Sequence, residues 1–148
     1  MSVVSSYRTR IRLSVSRTVG GELDPTWRLM QEAVEEVAEE YGGRVTDHVF
    51  DYFGNRTRCD FAVVTDAFPR GVGIRVDPRG EVSFVYDNYD ERGRGYRRAA
   101  AEIAERVVQS YTALAVAKAL AEMNYAVSVE EGREESGGIR AVVVRGEL

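Results

Sequence analysis

Between Asp24-Pro25 and Gly42-Gly43 the chain is bounded at both ends as a helix. An aspartate side chain caps free helical amides, proline suits the first helical position, and glycines end helices in a left-handed turn. Inside these bounds Trp27, Met30, Val34, Val37 and Tyr41 recur at three- and four-residue spacing, while Glu32, Glu35, Glu36, Glu39 and Glu40 lie between them. The spacing predicts an amphipathic helix with a solvated acidic outer face.

The flanking segments follow a different period. Residues 7–16 alternate, with Tyr7, Thr9, Ile11, Leu13 and Val15 on one side and Arg8, Arg10, Arg12, Ser14 and Ser16 on the other. That is the pattern of a half-buried strand. Residues 18–22, with Gly20-Gly21, read as a loop. Beyond Gly43, residues 44–53 and 58–65 read as a hairpin around Gly54-Asn55, and residues 71–76 and 81–86 as a second around Asp77-Pro78-Arg79-Gly80.

Residues 87–95 lack a hydrophobic period and lead into a long helix over 96–123, whose stripe is Ala100, Ile103, Val107, Tyr111 and Leu114. Its last third carries alanine at 113, 115, 117, 119 and 121, a small surface that lets another backbone come close. Asn124 is a candidate cap, and residues 125–130 and 139–145 form a last hairpin. The order β-α-β-β-β-β-α-β-β predicts an α+β fold: a single antiparallel-rich sheet with two helices packed on one face.

A chain of 148 residues has the size of one domain, here 1–148, with enough buried surface for a core without disulfides. The one cysteine has no partner and no apolar run approaches bilayer length, so the expectation is a cytoplasmic protein with no membrane segment. A net charge of −4 argues against indiscriminate polyanion binding. Scarce Asn, Gln and Cys beside abundant Glu and Arg fit heat adaptation through ion pairs, and a GC-rich genome also replaces Lys with Arg.

Catalytic equipment is sparse: one histidine, one cysteine, and one lysine beside nineteen arginines. His48 and Cys59 flank the first hairpin turn near Asp47, Asp51 and Asp60, which invites a metal or thiolate-imidazole reading. The spacing singles out no third ligand or orienting group, and a lone buried thiol is more often a small hydrophobe. Gly71-Val72-Gly73 falls short of a dinucleotide loop, and neither a glycine-rich lysine loop nor paired helical histidines occur. No catalytic residue, metal ligand or cofactor is assigned.

Two arginine-rich stretches suit partners. Arg8, Arg10 and Arg12 space guanidinium groups along one side of a strand, a geometry for phosphates or carboxylates, unless neighbouring strands supply cross-strand carboxylates. The stretch 86–98 interleaves Tyr86, Asn88 and Tyr89 with Arg92 and Arg94, the composition of a protein-docking loop. Arg97 and Arg98 beside a helix N-terminus suit an anion, and the tyrosines suit stacking on a base.

The chain also resembles a small family found in archaea, cyanobacteria and plastid genomes, of the plastid conserved reading frame thirty-five type. The residues that carry the resemblance are Tyr7-Arg8-Thr9-Arg10-Ile11, the helix segment Val108-Gln109-Ser110-Tyr111 with its Gln-x-Tyr signature, and Asn124-Tyr125-Ala126-Val127 before an acidic turn and a closing strand over 139–145. Where the family carries an aromatic, tryptophan-containing patch, this chain has Tyr86-Asp87-Asn88-Tyr89. The resemblance implies an accessory protein without established activity, working with an ATPase of the AAA type. If Gln109 and Tyr111 are hallmarks, the position of Tyr111 on the apolar stripe makes it an anchor between helix and sheet.

The leading expectation is a non-enzymatic module that forms a homo-oligomer, through the small-residue helix surface or a sheet edge, and docks a protein partner near residues 86–98. The alternative is a binder of a phosphate-bearing ligand, nucleotide or RNA, through the arginines. A metal or thiol enzyme at His48 and Cys59 stands third.

Overall fold

The computed structural model describes residues 4–123, together with the backbone of residues 126–133 and 140–147. The elements are β1 (Ser5–Arg12), β2 (Thr18–Val19), β3 (Glu22–Leu23), α1 (Pro25–Glu40), β4 (Arg44–Phe50), β5 (Arg56–Val64), β6 (Val72–Val76), β7 (Glu81–Tyr86), α2 (Tyr96–Glu122), β8 (Ala126–Arg133) and β9 (Arg140–Glu147). The fold is α+β, with the predicted order of helices and main strands.

Local chemistry explains the boundaries. The Asp24 carboxylate accepts the Thr26 N–H at 2.8 Å with Pro25 opening α1. At the other end Gly42, at φ +65°, donates to Glu39 O and Gly43 to Ala38 O, which satisfies the last carbonyls of α1. Strand β1 ends earlier than the alternation predicts, because residues past Arg12 bond elsewhere. The Leu13 N–H donates to Gly80 O, the Ser14 N–H to the Thr26 hydroxyl, and the Ser14 carbonyl accepts the Trp27 indole N–H at 2.9 Å. The expected loop over 18–22 instead holds the two-residue ladder β2–β3, since Gly20 and Gly21 both take the positive φ of a tight hairpin turn.

The main sheet is antiparallel in the order β1-β7-β6-β5-β4. Strands β4 to β7 form a meander, and β1 joins at the far side of β7, so the chain between β1 and β4 crosses from one sheet edge to the other. Both helices pack on one face: Trp27, Met30, Val34, Val37, Ile103, Val107 and Tyr111 share a core with Phe61, Val63, Ile74, Val82 and Phe84. The closing strands β8 and β9 pair only with each other, as a separate two-stranded sheet whose backbone lies against α2. The predicted cap at Asn124 and most of the loop over 131–138 lie outside the described residues.

The acidic face of α1 is not wholly solvated. Glu36 and Glu40 turn toward α2, where the buried Arg106 guanidinium lies 2.9 Å from the Glu40 carboxylate and 3.9 Å from that of Glu36. The Ser110 hydroxyl donates to Glu36 at 2.7 Å. The helix pair is therefore joined by an ion-pair network beside its apolar contacts.

The opposite sheet face carries a second, smaller core of Val49, Cys59, Ala62 and Val85. It forms because the β4–β5 pair slips register between Thr46↔Ala62 and His48↔Arg58, which places extra β5 residues opposite β4. At that irregularity the Asp60 carboxylate accepts the Val76 N–H at 2.8 Å, replacing a missing ladder partner. Gly73 admits the close approach: a Cβ there would lie 2.7 Å from Val85 Cγ2 and 3.0 Å from the Cys59 sulfur. The tip of the β4–β5 hairpin thereby reaches residues 70 and 87 at the sheet end.

Candidate docking surface

The hairpin tip is built on Asp51, whose carboxylate accepts the N–H groups of Phe53 and Asn55 at 2.9 and 2.8 Å. It is fastened to the rest of the molecule by main-chain bonds. The Phe50 N–H donates to Arg70 O and the Tyr52 N–H to the buried Asp87 carboxylate, both at 2.9 Å. Asp87 also accepts the Tyr89 N–H at 3.0 Å. One carboxylate thus holds the hairpin tip and the loop over 87–95 together.

Arg70 closes the joint from beneath. Its guanidinium donates to the carbonyls of Asp87 and Tyr89 at 3.0 and 2.7 Å, and lies 5.5 Å from the Tyr52 ring centroid and 5.0 Å from that of Tyr96. A cation between two rings gains from both quadrupoles and loses little to solvent. The Tyr52 and Tyr89 rings meet edge to face at 4.8 Å, and Phe53 stands against Tyr52 at 5.2 Å.

These rings stay at the surface: Phe53 is 60% exposed, Tyr89 42% and Tyr52 40%. Beside them is a cavity of about 370 Å³ lined by Tyr52, Arg70, Asp90, Glu91, Arg92, Arg94 and Tyr96. The Tyr52 hydroxyl donates to Glu91 at 2.5 Å, and that bond raises the tyrosine pKa. Arg94 donates to the Tyr96 hydroxyl at 3.3 Å.

The start of α2 differs from the anion site that its sequence invites. Gly95 at the cap position has no side chain to offer, and Asp90 reaches in from the loop to accept the N–H groups of Arg94, Gly95 and Tyr96 at 2.8, 2.8 and 3.1 Å. Those bonds, the one from Arg94 first, hold the Asp90 carboxyl below its usual range. The cap amide of Gly95 and the first helical amide, that of Tyr96, already hold a carboxylate of the same chain where a phosphate would sit.

The residues singled out in the sequence scatter accordingly. Tyr86 is buried at 7% exposure, stacked on Tyr7 and packed against Phe68, which takes it off the surface. Asn88 is half-buried, whereas Tyr89 is exposed against Tyr52, and Arg92 and Arg94 are exposed and line the cavity. Arg97 and Arg98 are exposed and, among the described residues, form no ion pair. Arg12 pairs with Glu81 across the strands at 3.2 Å, but Arg8 and Arg10 have no such partner among the described residues. These three lie at the opposite sheet edge from β4, whereas Arg92 and Arg94 line the cavity with Tyr52 of the β4–β5 tip, so those two sets of arginines do not form one site.

His48 and Cys59 are not brought together as a pair. His48 stands opposite Arg58 in the ladder, bonded through Nδ1 to Asp47 at 2.9 Å and edge-on to the Phe50 ring. Cys59 points into the second core, where burial pushes its thiol up to about 11. Among the described residues no three His, Cys, Asp or Glu side chains gather as a metal site, and no helix is long and apolar enough to cross a membrane.

Tyr52, Phe53, Arg70 and Glu91 escaped the sequence reading. The available signal was Tyr52-Phe53 beside Gly54-Asn55, two aromatics at a hairpin tip where polar residues are the norm. No family model, curated protein or solved structure matches the chain.

Proposed function

We propose that this chain is a non-enzymatic interaction module that docks a protein partner through Tyr52, Phe53 and Tyr89, with Arg92 at the rim. The observation that carries this reading is three exposed rings, Phe53 and Tyr89 each packed on Tyr52, where the hairpin tip and the loop over 87–95 are locked together by Asp87 and Arg70. Rigid aromatics lose little side-chain entropy on binding, and tyrosine and arginine are the residues most enriched at binding hot spots. A protein partner suits the surface better than an anion does, because Asp90 and Glu91 share the cavity with the arginines and Asp90 already accepts the N–H groups of Gly95 and Tyr96 where α2 begins.

The experiment is affinity capture with the wild type, Phe53→Glu and Tyr89→Ala, each checked for native circular dichroism. A partner retained by the wild type and lost by both variants supports the docking surface. Equal retention by all three removes it. The phosphate-ligand reading rests on the exposed Arg97 and Arg98, and predicts salt-sensitive binding of single-stranded RNA that Arg97→Glu with Arg98→Glu abolishes.

Self-association belongs to the same proposal. Val116 and Met123 are exposed apolar side chains at the end of α2, and light scattering on Val116→Glu tests whether an oligomer depends on them. Membership of the plastid reading-frame-type family, an AAA-type ATPase as the partner, and a cytoplasmic home complete the reading, supported by the motif at residues 7–11, Gln109 with Tyr111, and the single unpaired cysteine.

A further inference from the structure

Strand β1 ends the sheet, with β7 on one side and, among the described residues, no strand on the other. Its pairing is regular from Ser5↔Tyr86 to Arg8↔Ser83 and resumes only at Arg12↔Glu81, so the stretch between stands off from β7. There the Thr9 hydroxyl donates to Val82 O at 2.7 Å and accepts the Ile11 N–H, which satisfies the slipped backbone locally. The slip leaves a groove of about 510 Å³ between β1 and α2, with Ile11, Phe84, Ala104 and Val108 as its apolar lining.

Three arginines line this edge, with the Asp77 carboxylate within electrostatic reach of Arg8. Arg8 and Arg10 are exposed and, among the described residues, have no ion pair, while Arg12 is engaged by Glu81. Among the described residues Glu105 of α2 is the one carboxylate lining the groove. An open strand edge accepts an added strand by main-chain bonds, and alternate side chains of that strand then face opposite sides. One set would enter the groove against Ile11, Phe84 and Val108, and the other would project on the arginine side of β1. A second copy pairing through β1 would set Arg8 and Arg10 against their own counterparts, and like charges facing across strands are destabilising.

We infer that the β1 edge takes an extended acidic peptide segment of a partner protein, with apolar side chains seated in the groove beside α2 and carboxylates on Arg8 and Arg10. This surface is separate from the aromatic one at the β4–β5 tip. The test is fluorescence anisotropy with a labelled ten-residue peptide of alternating glutamate and valine, and its lysine-valine counterpart. The acidic peptide binds the wild type saturably, more weakly as salt rises. Arg8→Glu with Arg10→Glu lowers that affinity at least tenfold and gains affinity for the basic peptide, and Ala104→Trp, which fills the groove, lowers binding of either peptide. Phe53→Glu leaves peptide binding unchanged, so the two surfaces fail independently. No saturable binding to the wild type, equal affinity after charge reversal, or a wild-type dimer joined through β1 would overturn the inference.

Discussion

At the residue scale, single side chains sit where backbone geometry leaves no choice. Gly80 has φ +82°, and a Cβ there would lie 2.2 Å from Leu13 O, whereas Gly42 at φ +65° has open space around it. Gly80→Ala must relieve both a backbone strain and a clash, so it destabilises by about 2–3 kcal/mol, against about 1 kcal/mol for Gly42→Ala. Urea unfolding of the two variants measures the difference, and equal losses would refute the steric account. Cys59 offers a chemical check on the second core. With its thiol raised to about 11 by burial, it stays neutral at pH 8, and its labelling by a disulfide reagent tracks unfolding.

At the element scale, the helices are positioned by polar groups as much as by their stripes. Arg106 is 3% exposed in its side chain and faces Glu40 and Glu36. Arg106→Ala leaves those carboxylates without their cation and is expected to lose roughly 3 kcal/mol, while Arg106→Met with Glu40→Leu recovers most of it, as apolar substitution of buried pairs often does. Thermal melts of the three proteins decide the point.

The start of α2 responds to pH through Asp90, whose carboxyl titrates lower in the folded protein than in the unfolded chain. The stability it contributes is present above the unfolded value near 3.9 and is lost as pH falls through the lower folded value. Asp90→Asn flattens that loss and speeds amide exchange at Arg94, Gly95 and Tyr96; unchanged exchange there would show that Asp90 does not cap the helix.

At the scale of the whole molecule, one joint decides whether the docking surface exists. Asp87 accepts N–H groups from Tyr52 and Tyr89, which are 37 positions apart in the chain, and it is 3% exposed. Asp87→Ala leaves both amides without that acceptor and is expected to cost about 2 kcal/mol, with loss of partner capture even where the core stays folded. Exchange at the Tyr52 and Tyr89 amides reads the joint directly. If capture survives while those amides exchange freely, the surface does not need its preorganisation.

The sequence by itself determined the elements, because their signals are local. Asp24-Pro25 and Gly42-Gly43 bound α1 wherever it packs, the stripe through Ile103, Val107 and Tyr111 defines the buried side of α2, and Asp77 to Gly80 turns one hairpin on its own hydrogen bonds. Tertiary structure alone decided which elements meet. That β1 joins β7, that the β4–β5 tip crosses to Asp87 and that Glu36 and Glu40 face Arg106 all depend on contacts between residues distant in the chain. Period and capping report only a few neighbouring residues, so they place a strand's faces but not its partner. Arg8, Arg10 and Arg12 read alike in the sequence, and Arg12 differs because a register slip sets Glu81 opposite it while Arg8 stands opposite Ser83.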